Sequence, residues 1–152
     1  MQSKIQIRKF QQPDLTQVAQ LFDAYRQFYE ESSDINLAQQ YISERISKNE
    51  SIILVAENSE GVLVGFCQMY PTFCSVMAKP IYVLYDLFVG PAARGNGVAK
   101  QLLDAAVVLA KETGRARLDL STAKSNLKAQ SVYEANGWER DLDFFWYSYL
   151  ID

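Results

Sequence analysis

The hexapeptide Arg94, Gly95, Asn96, Gly97, Val98, Ala99 stands where an apolar run over residues 83–89 passes through Gly90 and Pro91 into a long amphipathic stretch. In outline, a strand feeding a glycine turn at a helix start suggests an anion site built from backbone. The first helical turn leaves several N–H groups without intrahelical partners, and the aligned peptide dipoles add partial positive charge there. Phosphate oxygens fit that environment. Gly95 and Gly97 lack a Cβ, so the main chain can approach a ligand closely, while Arg94 and Lys100 add cations nearby. The same six residues also read as an ordinary strand-to-helix turn followed by surface cations, and a glycine motif this short does not separate the two.

Other side chains bound the chemistry. No histidine occurs in the 152 residues, which removes Ser-His and Cys-His catalysis and every His-ligated metal site. Cys67 and Cys74 have neither metal-ligand spacing nor an activating base beside them, so they read as buried or partly buried thiols. Asp86 is a candidate base or, equally, a strand-end carboxylate bonded to backbone or to a surface cation. Tyr133 read alone is an aromatic anchor on a helix face. Glu30, Glu31 and Asp34 form an acidic cluster at a helix end, suited to solvent or to a ligand's ammonium. The aromatic residues 144–149 suit a cation–π pocket, a sheet or a dimer interface, with the structural use favoured.

Composition sets the frame. A chain of 152 residues, 49% hydrophobic and 22% charged, is one globular domain with a real core. No apolar run spans a bilayer, and the N-terminus lacks the basic flank and apolar stretch of a secretory signal, so the expected location is the cytoplasm. The net charge of -3 argues against general nucleic-acid binding. Charge is nonetheless uneven: residues 94–128 are basic, whereas the first helix and the C-terminal segment are acidic, as solvated faces also would be.

The elements that position these residues follow from periodicity. Residues 4–8 alternate as a strand, and a helix follows with Asp14 as N-cap, Gln17 at the capping-box position and an apolar face of Val18, Leu21, Phe22, Tyr25, Phe28 and Tyr29. A second helix is predicted over 37–48. Residues 51–57 and 62–70 read as an antiparallel strand pair, 71–80 as a loop and 81–89 as a central strand. A helix over 97–113 ends at Gly114, a strand covers 115–121, a helix covers 126–136, and Gly137 precedes two aromatic strands over 138–141 and 144–150. The expected fold is mixed α/β, a mostly antiparallel sheet flanked by helices.

In this order of elements the chain resembles the GNAT superfamily of N-acetyltransferases, whose acetyl-CoA loop has the form Arg/Gln-x-x-Gly-x-Gly/Ala, matched by Arg94, Gly97 and Ala99. Downstream, Asn126, Ala129, Tyr133, Glu134, Asn136, Gly137 and Trp138 resemble the family's CoA-contacting segment, and residues 81–89 are most similar to diamine acetyltransferases. The resemblance implies that the main chain of Leu87, Phe88 and Val89 holds the acetyl and pantetheine portion. It implies further that Gly95, Asn96, Gly97, Val98, Ala99 and Lys100, with Arg94, bind the pyrophosphate, that Asn126 touches CoA, and that Tyr133 protonates the departing thiolate. Asp86 becomes the candidate base, with ordered water as the alternative. Tyr85, Asp86, Glu30 and Glu31 become candidate acceptor contacts, although Tyr85 stands where the diamine enzymes carry an acid.

The implied activity is acetyl transfer from acetyl-CoA, without a metal, to a small amine or polyamine. Amino acids, peptide N-termini and a non-catalytic CoA sensor are the alternatives. The implied enzyme is a homodimer with no nucleic-acid or membrane partner. Rossmann and Walker loops fit poorly, since Lys100 stands where the former expects glycine and Asn96 where the latter expects lysine.

Overall fold

A computed structural model of the chain describes residues 4–152; residues 1–3, part of the N-terminal stretch read above, lie outside the described residues. Two compact units are distinguished, Met1–Ser121 and Thr122–Asp152.

The first unit carries a five-stranded sheet in the order β1 (Gln6–Lys9), β2 (Ile52–Glu57), β3 (Leu63–Cys74), β4 (Lys79–Val89) and β5 (Leu118–Asp119). The first three pairings are antiparallel and the last is parallel, so the sheet is mixed and mostly antiparallel, as expected. Strands β2 to β4 are the apolar runs of the sequence, and Ile53, Val55, Phe66, Met69, Tyr82 and Leu84 are buried in the core.

The stretch 71–80, read as a loop, is instead a continuation of the β3–β4 hairpin, paired from Pro71↔Tyr82 to Cys74↔Lys79. The prolines mislead because their missing N–H groups fall where no ladder bond is needed. Strand β2 ends opposite Met69, at Ile52, so the far side of Pro71 has no strand beside it. The strand expected over 115–121 forms a ladder only at Leu118–Asp119.

Helix α1 (Leu15–Phe28) buries Val18, Ala19 and Phe22, while Phe28 and Tyr29, expected on its inner face, are exposed. The expected capping box is also replaced. Asp14 receives two bonds from Arg8, at 2.7 and 2.9 Å, and one from the Gln11 amide, while Gln17 Oε1 accepts from the Leu63 amide at 2.9 Å and ties the helix to β3. Helix α2 (Ile35–Ser47) begins two residues earlier than its apolar pattern suggested, because Asp34 caps it by accepting from the Leu37 amide. Helix α3 (Val98–Glu112) buries Val98, Leu102, Leu103, Ala106, Leu109 and Ala110. It stops at Gly114, whose φ of 74° suits glycine.

The second unit contains helix α4 (Leu127–Ala135), capped by Asn126, whose side chain accepts from the Ala129 amide. Gly137, with φ at 88°, follows it. The two aromatic strands expected over 138–141 and 144–150 are absent among the described residues. Asp141 Oδ1 accepts from the amides of Asp143 and Phe144, a local turn that interrupts the run, and the residues beyond it have no ladder partner. Period-2 pattern alone does not make a strand without a neighbouring edge.

Candidate active site

Strand β4 meets β5 only at Tyr82↔Leu118 and Val83↔Asp119. From Leu84 to Val89, therefore, β4 keeps its ladder with β3 on one side and has no ladder partner on the other among the described residues, an open edge of the sheet. The direction of its peptide groups follows from one bond: the Gly90 amide donates to the Val64 carbonyl, which makes that opposed pair hydrogen-bonded. Antiparallel alternation then turns Phe88 and Asp86 towards β3 and leaves the main chain of Leu87 and Val89 facing the open edge. The Val89 carbonyl is taken by Arg94 Nε at 2.8 Å.

That arginine is exposed and has no carboxylate partner among the described residues. Its guanidinium lies over the Phe88 ring at 5.4 Å and anchors the start of the glycine loop to β4. The loop passes through a short 3-10 turn, Pro91–Ala93, before Gly95 and Gly97 take left-handed conformations at φ 81° and 75°. A Cβ at either glycine would meet nothing within 4 Å, so it is the backbone angle that favours glycine, and the space beside the loop is open. The first amide to return into the helix is that of Gln101, bonded to the Gly97 carbonyl. The amides of Gly95, Asn96, Gly97, Val98, Ala99 and Lys100 have no acceptor among the described residues. Consecutive unpartnered N–H groups at the positive end of α3 fit a pyrophosphate, and an open strand edge fits the amides of a pantetheine arm. Lys100 pairs with Asp104 at 2.7 Å. A hollow of about 710 Å³ abuts the loop on the side of Leu21, Leu63, Val64 and Gln101, and its lining does not include Asp86.

Asp86 is buried, at 4% exposure, and accepts from Gln68 Nε2 at 2.8 Å. Burial pushes its carboxyl above the usual range, while hydrogen bonds from Gln68 and Tyr25 pull the other way. The strand register breaks between Gln68 and Met69, so that Asp86 faces Gln68, Leu84 faces Met69, and Tyr85 is the extra residue of a β-bulge. The bulge leaves the Tyr85 ring exposed, and its carbonyl accepts from the Tyr25 hydroxyl at 3.3 Å. Tyr70 stands beside it, with ring centroids 5.6 Å apart, and its hydroxyl is paired with that of Tyr41 at 2.6 Å. Burial, aided by the neighbouring carboxylate, raises both the Tyr25 and Tyr70 hydroxyls, so these rings stay neutral.

The structure thus brings Tyr85 and Asp86 together but leaves Glu30 and Glu31 in solvent. Glu30, two residues beyond α1, has a φ of 66°, and Glu31 faces Arg26 at 3.8 Å. Asp34, the third member of that cluster, is consumed by its cap and by donating its amide to buried Asp23. In the second unit, Tyr133 is half-buried, its ring 6.3 Å from that of Trp138, and its carbonyl accepts from the Trp138 amide. Gln68, Tyr25 and Tyr70 were not singled out from sequence as site residues. Gln68 carried a signal, as the one polar side chain inside the apolar run 66–70.

Mixed sheet, open β4 edge and amide-lined glycine loop fit a transferase that binds an acyl-CoA donor, and comparison with known proteins makes the class specific. The acetyltransferase (GNAT) family model matches residues 16–138, and the chain belongs to that family. An uncharacterized N-acetyltransferase, YhfO of Bacillus subtilis, is 45% identical over 141 residues, covering 93% of this chain and 94% of that protein. A crystal structure of a probable acetyltransferase superposes with a TM-score of 0.90 at 36% identity, covering 97% of this chain and 98% of the other. An aminoglycoside N-acetyltransferase, AAC(6')-Iy in complex with CoA, shares the fold with a TM-score of 0.82 at 22% identity, over 98% and 97% of the two chains. The protein is accordingly an acyltransferase of the N-acetyltransferase type.

Proposed function

We propose that the enzyme acetylates a small primary amine by direct attack on the thioester of acetyl-CoA. The observation that carries this reading is the placement of a buried carboxylate, Asp86, one residue before the Leu87 main chain that faces the open edge of β4. In this reading Leu87 and Val89 hold the donor's arm, the amides of residues 95–100 hold its pyrophosphate, and Asn126 adds a contact. Phe88 contributes its ring as the seat of Arg94. Acetyl-CoA supplies an activated acyl group and a thiolate that leaves.

Asp86 takes a proton from the ammonium, which frees the nitrogen lone pair for the thioester carbon. A carboxyl raised by burial is a stronger base than an exposed one. As the C–N bond forms and the C–S bond breaks, the departing sulfur takes a proton, and the family resemblance gives the donor's role to Tyr133. The second proton of the amine nitrogen passes to solvent, Asp86 releases the first there as well, and Tyr133 recovers its own from the same source, leaving an amide and free CoA thiol. The family resemblance further supports a homodimer, which sedimentation velocity checks.

The experiment is thiol release from acetyl-CoA across a panel of monoamines, polyamines, amino acids and peptide N-termini, with product mass recorded. Release that depends on a small amine supports the reading. CoA binding with no release for any acceptor contradicts it and leaves a sensor.

A further inference from the structure

We propose that the acceptor is recognised by aromatic rings, with Tyr25, Tyr70 and Tyr85 forming a collar around Asp86 that takes an ammonium carried on an apolar or aromatic body. The inference rests on the acetyltransferase reading above and names the acceptor class of the same site.

The collar is built from three elements. Tyr85 projects from the β4 bulge at 65% exposure, next to the buried carboxylate. Tyr70 on β3 lies edge-on to it, at an interplanar angle of 62°, and is pinned through the hydroxyl of Tyr41, whose ring lies under Arg45. Tyr25 on α1 reaches the Tyr85 carbonyl. Outward from Tyr25 the aromatic path continues to Tyr29, with centroids 5.1 Å apart, and from Tyr29 to Phe28 at 5.3 Å. Phe28 and Tyr29 are exposed, so an apolar body has a surface to lie on between solvent and Asp86.

Charge at the collar narrows the class. Neutral ring faces attract a cation through their quadrupole, and Asp86 supplies the single carboxylate at its base. Within the collar a diamine's second ammonium meets no further carboxylate among the described residues: Asp86 is the one that acts on both Tyr25 and Tyr70, and buried Asp23 is occupied by Ser33, Gln27 and the Asp34 amide. An amino acid would bring its own carboxylate against Asp86. The expected order of acceptors is therefore arylalkylamine, then alkylamine, then diamine and amino acid.

The test is kcat/KM by thiol release, at saturating acetyl-CoA, for phenethylamine, hexylamine, hexamethylenediamine and phenylalanine, with wild type, Tyr85→Ala and Tyr85→Phe. Phenethylamine is expected to lead. Tyr85→Ala is expected to raise its KM about tenfold with kcat and the acetyl-CoA KM unmoved, and Tyr85→Phe, which keeps the ring, to recover most of that loss. A preference for the diamine or the amino acid, or a Tyr85→Ala enzyme indistinguishable from wild type, overturns the collar while leaving the transferase reading intact. Absence of thiol release with every amine overturns both.

Discussion

Gln68 Nε2 donates to Asp86 Oδ2 at 2.8 Å across β3 and β4, directly at the bulge, and both side chains are buried. The bond orients the carboxylate and offsets part of the cost of burying it, while Gln68 Oε1 has no partner among the described residues. The pair is therefore specialised for Asp86 rather than for packing.

Replacing Asp86 with Asn is expected to lower turnover by about 100-fold or more and to abolish the limb of the pH profile that rises with pH. Stability should move the opposite way. The folded-state pKa of Asp86 is raised, so its contribution is full below the unfolded pKa and is lost as pH rises through the folded value. Asp86→Asn should thus melt above wild type at neutral pH and alongside it in acid. A uniform loss of Tm at all pH values would argue against a buried charge.

Gln68→Met removes the donor and keeps the volume. Asp86 then loses a hydrogen bond that favours its ionised form, and the rising limb of kcat/KM should shift to higher pH with activity regained there. A pH-independent loss would mean that Gln68 acts only in packing.

Arg8 and Asp14 give a second pH-dependent element, away from the reaction. The Arg8 guanidinium holds the Asp14 carboxyl below its ordinary range, so this contribution is present above the unfolded pKa and disappears as pH falls through the folded one. Asp14→Ala should cost about 2 kcal/mol in urea unfolding at pH 7, the size of charged hydrogen bonds lost, and much less in acid. Equal cost at both pH values would point to packing alone.

Gly97 carries a left-handed φ of 75° at the mouth of α3. Gly97→Ala fits the space but strains the backbone, at a cost of about 1 kcal/mol. The same change puts a methyl beside the open amides, so the Kd for CoA should rise while the KM for the amine stays put; an unaltered CoA affinity would remove the loop from the donor site.

How far the sequence disclosed this site depended on whether the signal was local. The glycine loop, α3 and its Gly114 stop are written in contiguous residues whose backbone needs are specific, and they lie where their pattern indicated. Pro71 was misleading because its tolerance depends on β2 ending opposite Met69, a fact of a distant segment. The tyrosine collar was hidden for the same reason: Tyr25 has the spacing of a core residue on α1, and only the bulge at Tyr85 shows that its hydroxyl points to the site. Residues 144–150 carried a strong strand pattern without an edge to complete it.

The amides of residues 95–100 and the open edge at Leu87 and Val89 are the proposed seat of the acyl donor. The direct measurement is an amide-resolved NMR titration of the full chain with CoA. Saturable shifts concentrated at residues 95–100, with Leu87 and Val89 responding together, are the predicted result. Saturable binding that leaves those amides unmoved would place the donor elsewhere on the protein.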